Sequence, residues 1–280
     1  MLVRGGGARY IEYMNVASIS KKPAKSEPTS FVDALALRFE ESPPARKGER
    51  TRERIKLATA RMLERLGYHA MRVLDITQEA GIADGSFYVY FKDKSEAALA
   101  VLSEFIEFIP PGATVGSVSR TAFETIRETN CRFIRLARAN AGLMRCMLQV
   151  VDEHPDYSEL VQKVNRDWYL RVSRSVIRHY PEGAVDEDAM LLMCYALGSM
   201  MDELIRRLVI YPDQNLLKLT ERTAPTDKAL ADALSIIWHR ALYPCGETPK
   251  GLRGAAAKLD RKSTRLNSSH SPQSRMPSSA

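Results

Sequence analysis

The feature that most constrains the fold is an almost continuous helical pattern between about residues 49 and 243. Apolar residues recur there at intervals of three and four, and glycine or proline interrupts the pattern at short distances. No run shows the two-residue alternation of a half-buried strand. Pro110-Pro111-Gly112 separates a short basic segment from a longer helical one. The sequence therefore predicts an all-α fold of two units, residues 49–109 and 117–244.

Composition limits the classes of protein that this chain can belong to. Of the 280 residues, 45% are hydrophobic and 27% are charged, which is the balance of a globular protein with a buried core. No apolar run approaches the roughly 18–20 residues of a membrane span, and the start lacks the apolar stretch of a secretory signal. We therefore expect a cytoplasmic protein with no membrane partner.

The four cysteines are far apart and form no CxxC pair, so the sequence predicts no metal site, no disulfide framework and no cofactor. We interpret them as reduced packing residues. They are Cys131, Cys146, Cys194 and Cys245.

Both ends of the chain have compositions that favour disorder. Residues 1–48 contain a glycine triplet and Ser42-Pro43-Pro44, which predicts a mobile arm, although residues 31–39 are able to form a short helix. Residues 262–280 are rich in Ser, Pro, Asn and Arg and lack apolar periodicity. This tail is interpreted either as a disordered native segment or as translated adapter sequence, and we assign it no function.

Basic residues are concentrated at the start of the folded part. The formal charge of +7 permits nucleic-acid binding, but its position is more informative than its size. Only Glu49, Glu53 and Glu64 oppose the cluster. Its members are Arg46, Lys47, Arg50, Arg52, Arg54, Lys56, Arg61, Arg65 and Arg72.

Three short helices are predicted within this basic segment. The first begins near Thr51, a candidate N-cap, and ends at Gly67; the second spans Val73 to Ala80; the third follows Gly81 and spans about Asp84 to Tyr90. Two short helices joined by a glycine turn are the parts of a helix-turn-helix, whose second helix enters a major groove about 12 Å wide. The spacing alone also fits other three-helix bundles.

Residues 75–91, DITQEAGIADGSFYVYF, followed by KDKSE, closely resemble the DNA-binding signature of TetR-family regulators. The resemblance begins near Arg50, includes Gly67-Tyr68 and extends through Leu102. It implies a homodimeric transcription regulator, with a helix-turn-helix from Arg72 to Phe91, that is a repressor released by a small-molecule effector. Since the sequence contains no Gly-rich phosphate loop after a strand, no nucleophile-elbow motif and no metalloprotease motif, we also expect that the chain is not an enzyme.

The resemblance assigns roles to individual residues. It implies that Ser86, Tyr88 and Tyr90 reach DNA, where hydroxyl groups suit phosphate oxygens, although the two tyrosines also fit a partly buried core. Lys94 matches a phosphate-clamping position at a helix start, and Lys92 is either a second phosphate contact or simply solvated. The residues expected to pack the two helices together are Ile76, Ala80, Ile82, Phe87 and Phe91.

The residues expected to contact bases depart from the common family pattern. Many relatives have Ser-Lys where this chain has Ala83-Asp84, so Asp84 either caps its own helix or accepts a hydrogen bond from a cytosine amino group. Arg72 stands where relatives often have a capping Ser or Thr, and it is able to hold a phosphate instead. The expected base-contacting set is Ala83, Asp84, Gly85, Ser86 and Val89.

The longer helical unit is expected to form the dimer and to bind the effector. Apolar stripes in Leu191–Ile210 (Leu197, Met201, Leu204, Leu208) and Ala229–Tyr243 (Leu230, Leu234, Ile237, Leu242) predict a four-helix dimer interface. A dimer places two recognition helices about 34–36 Å apart on palindromic double-stranded DNA. Candidate effector-pocket residues, for which core packing is an equal alternative, are Phe133, Met144, Met147, Trp168 and Tyr169.

Two other functions were compared with DNA binding. Asp152, Glu153, His154 and Asp156 are a candidate metal or proton-transfer cluster, but they flank Pro155, which favours a solvated loop between helices. Ala83-Asp84 keeps open a second alternative, a helical protein-interaction module with a degenerate helix-turn-helix that no longer binds DNA.

Overall fold

A computed structural model describes residues 29–109, 121–246 and 249–258, and every regular element within these ranges is helical. The predicted all-α class is therefore confirmed. A π-helical turn, Arg206–Ile210, continues directly from the α-helix that ends at Ile205. The helices are α1 Phe31–Glu41, α2 Lys47–Leu66, α3 Val73–Ala80, α4 Asp84–Phe87, α5 Lys94–Phe108, α6 Ala122–Ala139, α7 Ala141–Glu153, α8 Pro155–Ile177, α9 Glu187–Ile205, α10 Gln214–Thr223 and α11 Asp227–Leu242.

Helices α2 to α5 share one apolar core. The three- and four-residue spacing of α2 places Ile55, Met62 and Leu63 on one side, and all three are completely buried. Phe87 at the end of α4 and Phe91 just after it close this core from the other side. Burying each such side chain contributes about 1.5–3 kcal/mol, which is ample to fix short helices that are unstable alone.

The first helix of this unit begins earlier than the sequence predicted. Thr51 is not its N-cap, because α2 starts at Lys47 and the Thr51 hydroxyl donates to the Lys47 carbonyl within the helix at 3.0 Å. The third predicted helix is shorter than expected. α-Helical structure ends at Phe87, and Tyr90 N–H donates to the Phe87 carbonyl at 2.9 Å in a turn.

The arm predicted for residues 1–48 is wrong for its described part. Ser30 caps α1, and Phe31 and Leu35 are buried. The Phe31 ring lies 5.4 Å from that of Phe105 on α5. Residues 29–48 are therefore ordered, because α1 has an apolar face that the body can bury; residues 1–28 lie outside the described residues.

Helices α6 to α11 form a second core, in which α6 and α11 are antiparallel. Phe123 at the start of α6 meets His239 near the end of α11, with ring centroids 5.7 Å apart. At the other end, Arg138 and Asp227 form an ion pair of 2.9 Å. The described part of the predicted second unit begins at Thr121, and residues 110–120 and 259–280 lie outside the described ranges, including the predicted tail at 262–280.

The apolar stripes predicted to form the dimer interface largely face this second core. The prediction is wrong for most of their residues, because α9 and α11 pack against α6 and α8 of the same chain and bury them there. Leu204 is half-buried, and Ile237 is exposed. The stripe residues buried within the chain are Leu197, Met201, Leu208, Leu230, Leu234 and Leu242.

Three of the cysteines are buried, whereas Cys245 is exposed and is not a packing residue. Burial raises the pKa of the Cys146 and Cys194 thiols to about 11. Across the described ranges, no helix is long and apolar enough to cross a membrane. No group of three or more His, Cys, Asp or Glu side chains is arranged there to hold a metal ion.

Candidate nucleic-acid interface

The turn between α3 and α4 has the geometry of a helix-turn-helix. Gly81 ends α3 with φ 62°, a left-handed conformation that a residue with a Cβ rarely adopts. The next residue, Ile82, donates its N–H to the Thr77 carbonyl at 3.1 Å, which closes the turn. Ile76 and Ala80 are buried beneath it. The positions of Ile76, Ala80 and Ile82 therefore agree with the packing roles predicted for them.

The outer face of α4 is exposed, as a surface that meets a partner must be. Ala83, Asp84 and Gly85 are exposed in its first turn. Beyond its end, the side chains of Tyr88 and Val89 are 60% and 75% exposed. Ser86 and Tyr90 are half-buried. This chain therefore presents two large side chains to solvent while it buries their neighbours Phe87 and Phe91.

The N-terminus of α2 lies beside this face. A Cβ built on Gly48 would lie 3.9 Å from the Tyr90 hydroxyl, and the Arg52 guanidinium lies over the Phe91 ring at 4.8 Å. Among the described residues no side chain caps α2 at Arg46, so the first-turn N–H groups near Tyr90 have no side-chain acceptor there. Such a helix start favours anions. Sequence reasoning missed this feature because it began the helix at Thr51.

Much of the predicted basic cluster is used inside the protein. Lys56 is buried between Glu53, at 2.7 Å, and Glu104. Burial opposes ionisation of Glu104, but hydrogen bonds from Lys56 and Arg38 outweigh it and lower its pKa. Arg61 pairs with Glu79 on α3 at 3.1 Å. By contrast Lys47, Arg54 and Lys92 are exposed and have no ion-pair partner in the described ranges.

Arg72 precedes α3 and pairs with a carboxylate of that helix. Its backbone N–H donates to Asp75 Oδ2 at 2.8 Å, and its guanidinium donates to both oxygens of the same group, at 3.0 and 3.2 Å. These hydrogen bonds raise the pKa of Arg72 and lower that of Asp75. The guanidinium thus holds the start of α3. Because it is exposed and has five N–H donors, it retains N–H groups that are able to bind a phosphate.

Asp84 has a contact that neither sequence-based interpretation included. Its Oδ1 accepts a hydrogen bond from the buried Thr77 hydroxyl on α3, and the N-cap position of α4 belongs to Ala83. The cap interpretation of Asp84 is therefore wrong, because Asp84 lies inside the first turn. This bond holds α4 to α3 and competes with any bond from the carboxylate to a base.

Lys94 lies at the start of α5, where its ammonium turns inward. It donates to the carbonyls of Tyr68, His69 and Met71 at 3.1, 3.2 and 2.9 Å. An ammonium has three N–H donors, and these three acceptors use them all. The structure thus gives Lys94 an internal contact in place of the phosphate clamp that the resemblance implies, because the loop after α2 ends directly beside it.

A cavity of about 150 Å³ lies in the second unit between α6, α8, α9 and α11. Three of the predicted pocket residues line it, namely Phe133, Trp168 and Tyr169. Met144 and Met147 do not line it: Met147 packs against the first core, and Met144 packs between the two cores. Gly198, Asp202 and Trp238 also line it and were missed, because helical periodicity does not distinguish a cavity wall from a filled core.

The two units meet at α2 and α7. Glu64 accepts hydrogen bonds from the N–H groups of Gly142 and Leu143. Nearby, the Nε2 atom of His154 lies 3.0 Å from the Ser95 hydroxyl of α5. His154 is therefore a contact between the two units. Asp152, Glu153 and Asp156 are exposed, as expected, but the predicted loop is wrong, because they lie in the adjoining ends of α7 and α8 and only His154 separates the two helices.

Comparison with known proteins agrees with this geometry. Residues 55–101 match the family model described as bacterial regulatory proteins, tetR family. A helix-turn-helix transcriptional regulator of Lactococcus lactis is 34% identical over 70 residues, which are 25% of this chain and 36% of the relative. The fatty acid metabolism regulator protein of Bacillus subtilis is 36% identical over 47 residues, 17% of this chain and 24% of the relative. The chain thus matches about a third or less of these curated relatives.

Solved structures extend the likeness in fold to both units. A TetR-family transcriptional regulator of Mesorhizobium loti superimposes with a TM-score of 0.52 at 15% identity, over 69% of this chain and 97% of the other. Salmonella enterica GusR superimposes with a TM-score of 0.51 at 15% identity, over 71% of this chain and 98% of GusR. These similarities concern the fold, and the match to the family model covers residues 55–101.

Proposed function

We propose that this chain is a member of the TetR family of bacterial regulatory proteins, whose family model its residues 55–101 match, and that it is a homodimeric repressor that binds a palindromic operator and is released by a small-molecule effector. The observation that carries the proposal is the exposed face of α4 beside the uncapped start of α2. There an all-helical unit places exposed side chains, free cations and backbone N–H groups on one surface. This is the combination that groove recognition requires.

In the proposed complex, α4 enters the major groove. Ala83, Gly85 and Val89 contact base edges, since all three are exposed in α4 or directly beside its ends, and the half-buried Ser86 reaches the groove edge. The hydroxyl groups of Tyr88 and Tyr90 donate hydrogen bonds to phosphates. Lys92 and the N–H groups in the first turn of α2 also contact phosphates. Arg72 adds an exposed guanidinium at the start of α3. Lys94 acts as a positioning residue, because it fixes α5 against the end of α2.

We place the dimer interface on the outer faces of α9 and α11. Leu192 and Met193 on α9 are 71% and 42% exposed, and Ile237 on α11 is 46% exposed. Large apolar side chains exposed on two neighbouring helices favour association with a second copy of the same surface. Two copies joined there present two α4 helices to one operator.

The effector would act by changing the separation of the two recognition helices. The cavity of the second unit is a site for it, and the α2 to α7 contact at Glu64 connects that unit to the helix-turn-helix. A ligand shifts such an equilibrium only as far as it prefers one arrangement over the other. The effector therefore releases DNA only if it binds more tightly to the conformation in which the separation of the two α4 helices does not match the operator.

The first experiment is selection of the purified protein on random duplex DNA, followed by titration of the enriched site at several salt concentrations. An enriched palindrome, with affinity that falls steeply as salt rises, is expected because phosphate contacts release counterions. Tyr88→Phe should weaken binding to every sequence. Tyr211→Phe is the matched control, since it removes the hydroxyl of an exposed tyrosine in the second unit and should leave binding unchanged.

If folded, dimeric protein enriches no DNA sequence, the proposal is contradicted. Weak DNA binding whose affinity does not change with salt concentration would favour the protein-interaction alternative. An enriched site without twofold symmetry would contradict the dimeric arrangement. Repression is tested separately, by a reporter gene placed behind the enriched site: expression should fall when the protein is present.

A further inference from the structure

The cavity of the second unit has walls that suit one chemical class of ligand. Its volume of about 150 Å³ matches about one benzene-sized group. The Trp168 ring lies 5.0 Å from that of Tyr169 and 6.0 Å from that of Trp238, and all three residues line the cavity. Aromatic faces carry negative electrostatic potential and attract cations, and Trp attracts them most strongly.

A single acidic side chain faces this aromatic wall. Asp202 on α9 lines the cavity, and no hydrogen bond or ion pair to it is formed within the described ranges. The residue is exposed to solvent, although the protein atoms around its carboxyl raise its pKa to about 6. Both properties are expected of a carboxylate that borders a cavity and lacks a compensating cation.

Asp202 lies one helical turn from a glycine that faces the aromatic wall. A Cβ on Gly198 would lie 2.1 Å from the Tyr169 hydroxyl, so glycine at this position leaves the space that the end of the Tyr169 side chain occupies. Asp202 follows one helical turn later, beside the same tyrosine, and its charge helps to raise the Tyr169 pKa. The carboxylate and the aromatic wall therefore belong to one site.

The two arginines at the cavity do not neutralise this carboxylate. Arg132 is half-buried and Arg171 is exposed, so water solvates both guanidinium groups. Burial is the one cause of the raised Asp202 pKa, with no cation close enough to lower it. Arg132 and Arg171 line the same cavity, but neither forms an ion pair with Asp202 within the described ranges, so this carboxylate is available to pair with a cationic ligand at the aromatic wall.

We propose that the effector of this regulator is a small organic cation, an amine or quaternary ammonium on an aromatic or compact apolar group, whose charge pairs with Asp202 against Trp168 and Trp238. The inference rests on the proposed function for its regulatory meaning, whereas binding itself is measurable without DNA. An anionic or neutral ligand of the same size is the competing outcome.

The protein supplies its own probe of the cavity. Its two tryptophans, Trp168 and Trp238, both line it, so intrinsic tryptophan fluorescence reports this site. We would titrate the full chain with benzylamine, benzyl alcohol and benzoate at mildly alkaline pH, where the carboxyl is ionised and the amine is protonated. Benzylamine should change the emission at concentrations about tenfold lower than benzyl alcohol does, since a charge-assisted pair contributes about one factor of ten.

Two variants identify the group responsible. Asp202→Asn keeps the shape of the side chain and removes its charge, and it should abolish the preference for benzylamine while benzyl alcohol binds as before. Glu203→Gln is the matched control, because it neutralises the neighbouring carboxylate, which pairs with Arg206 outside the cavity. It should retain the preference in full.

The proposal is overturned if benzoate binds most tightly, if benzylamine shows no preference over benzyl alcohol, if none of the three changes the emission, or if Asp202→Asn retains the preference. These results leave DNA binding untouched, so they differ from a failure of the proposed function. Conversely, selective benzylamine binding by a protein that selects no DNA sequence would retain the cation site and refute the regulator.

Discussion

The carboxylate of Glu64 on α2 accepts a hydrogen bond from the backbone N–H of Gly142 at the start of α7, at 2.9 Å. A Cβ on Gly142 would lie 2.2 Å from the Glu64 carbonyl oxygen, so the two helices approach more closely than any other residue at 142 permits. In the sequence, Glu64 stands among the three acidic residues that oppose the basic cluster. Its role is to satisfy the N-terminal amides of a helix in the other unit.

Gly142→Ala should therefore destabilise the protein and loosen the contact between the units. The new methyl group meets backbone atoms that cannot rotate away, and overpacking of this kind costs about 1–3 kcal/mol. Urea denaturation measures the loss. Gly48→Ala is the control, because its Cβ would lie at an ordinary 3.9 Å from Tyr90; equal stability of the two variants would contradict the close approach.

Lys92 and Lys94 should respond differently to substitution by alanine. Lys94→Ala removes three hydrogen bonds to carbonyls and should lower the melting temperature together with the affinity for every DNA sequence. Lys92→Ala removes an exposed charge and should leave the melting temperature unchanged. It should reduce the salt slope, which is the slope of log DNA affinity against log salt concentration, by about one. If Lys94→Ala reduces only the salt slope, Lys94 clamps a phosphate after all.

The bond between Thr77 and Asp84 should influence sequence preference. Thr77→Val keeps the volume of the side chain but removes the hydroxyl that holds the Asp84 carboxylate. The freed carboxylate is able to accept from a cytosine amino group, so selection with this variant should enrich cytosine at one position of each half-site. The double variant Thr77→Val/Asp84→Ala should lack that enrichment; an unchanged site in Thr77→Val would show that the bond does not restrain Asp84.

Helix α1 should stabilise the whole protein. Phe31 packs on Phe105, and its backbone N–H donates to the Asn140 side chain between α6 and α7 at 2.7 Å, so α1 touches both units. Phe31→Ala should cost about 3 kcal/mol in the free energy of unfolding. Leu37→Ala, at an exposed position of the same helix, should cost far less, and a similar small loss for both would mean that α1 is not docked in solution.

Asp202 should make the free protein less stable above its pKa. Its pKa is raised from 3.8 to about 6, so the folded protein holds this proton more tightly than the unfolded chain does. The stability contributed by the protonated form is lost as pH rises between these values, and the loss stays constant above them. Because the side chain keeps accessible surface, we expect on the order of 1 kcal/mol.

Comparison of Asp202→Asn with the unsubstituted protein isolates this contribution from that of other titrating groups such as His239, whose pKa burial lowers. Chemical denaturation across the pH range should show equal stabilities at acidic pH and a more stable variant at neutral pH. A variant that is less stable at neutral pH would mean that the carboxylate has a partner in the folded protein.

Local sequence determined the helix-turn-helix. The pattern around Ile76, Ala80, Gly81 and Phe87 acts through contacts within about 15 residues, and a left-handed turn demands glycine wherever it occurs. The all-helical class is equally local, because helical periodicity follows from the spacing of apolar residues. For these features, the structure agrees with what the residues alone predict.

Tertiary structure decided which polar and apolar groups remain free. Lys94, Lys56 and Asp84 read as surface charges in the sequence, but partners 7 to 48 residues distant in the chain occupy them. The stripes of α9 and α11 read as a dimer interface, but α6 and α8 already cover most of them. A sequence shows that a helix face is apolar or that a side chain is charged. Whether another part of the chain covers that face or pairs with that charge depends on how helices distant in the sequence pack together, and a local sequence pattern does not contain this information.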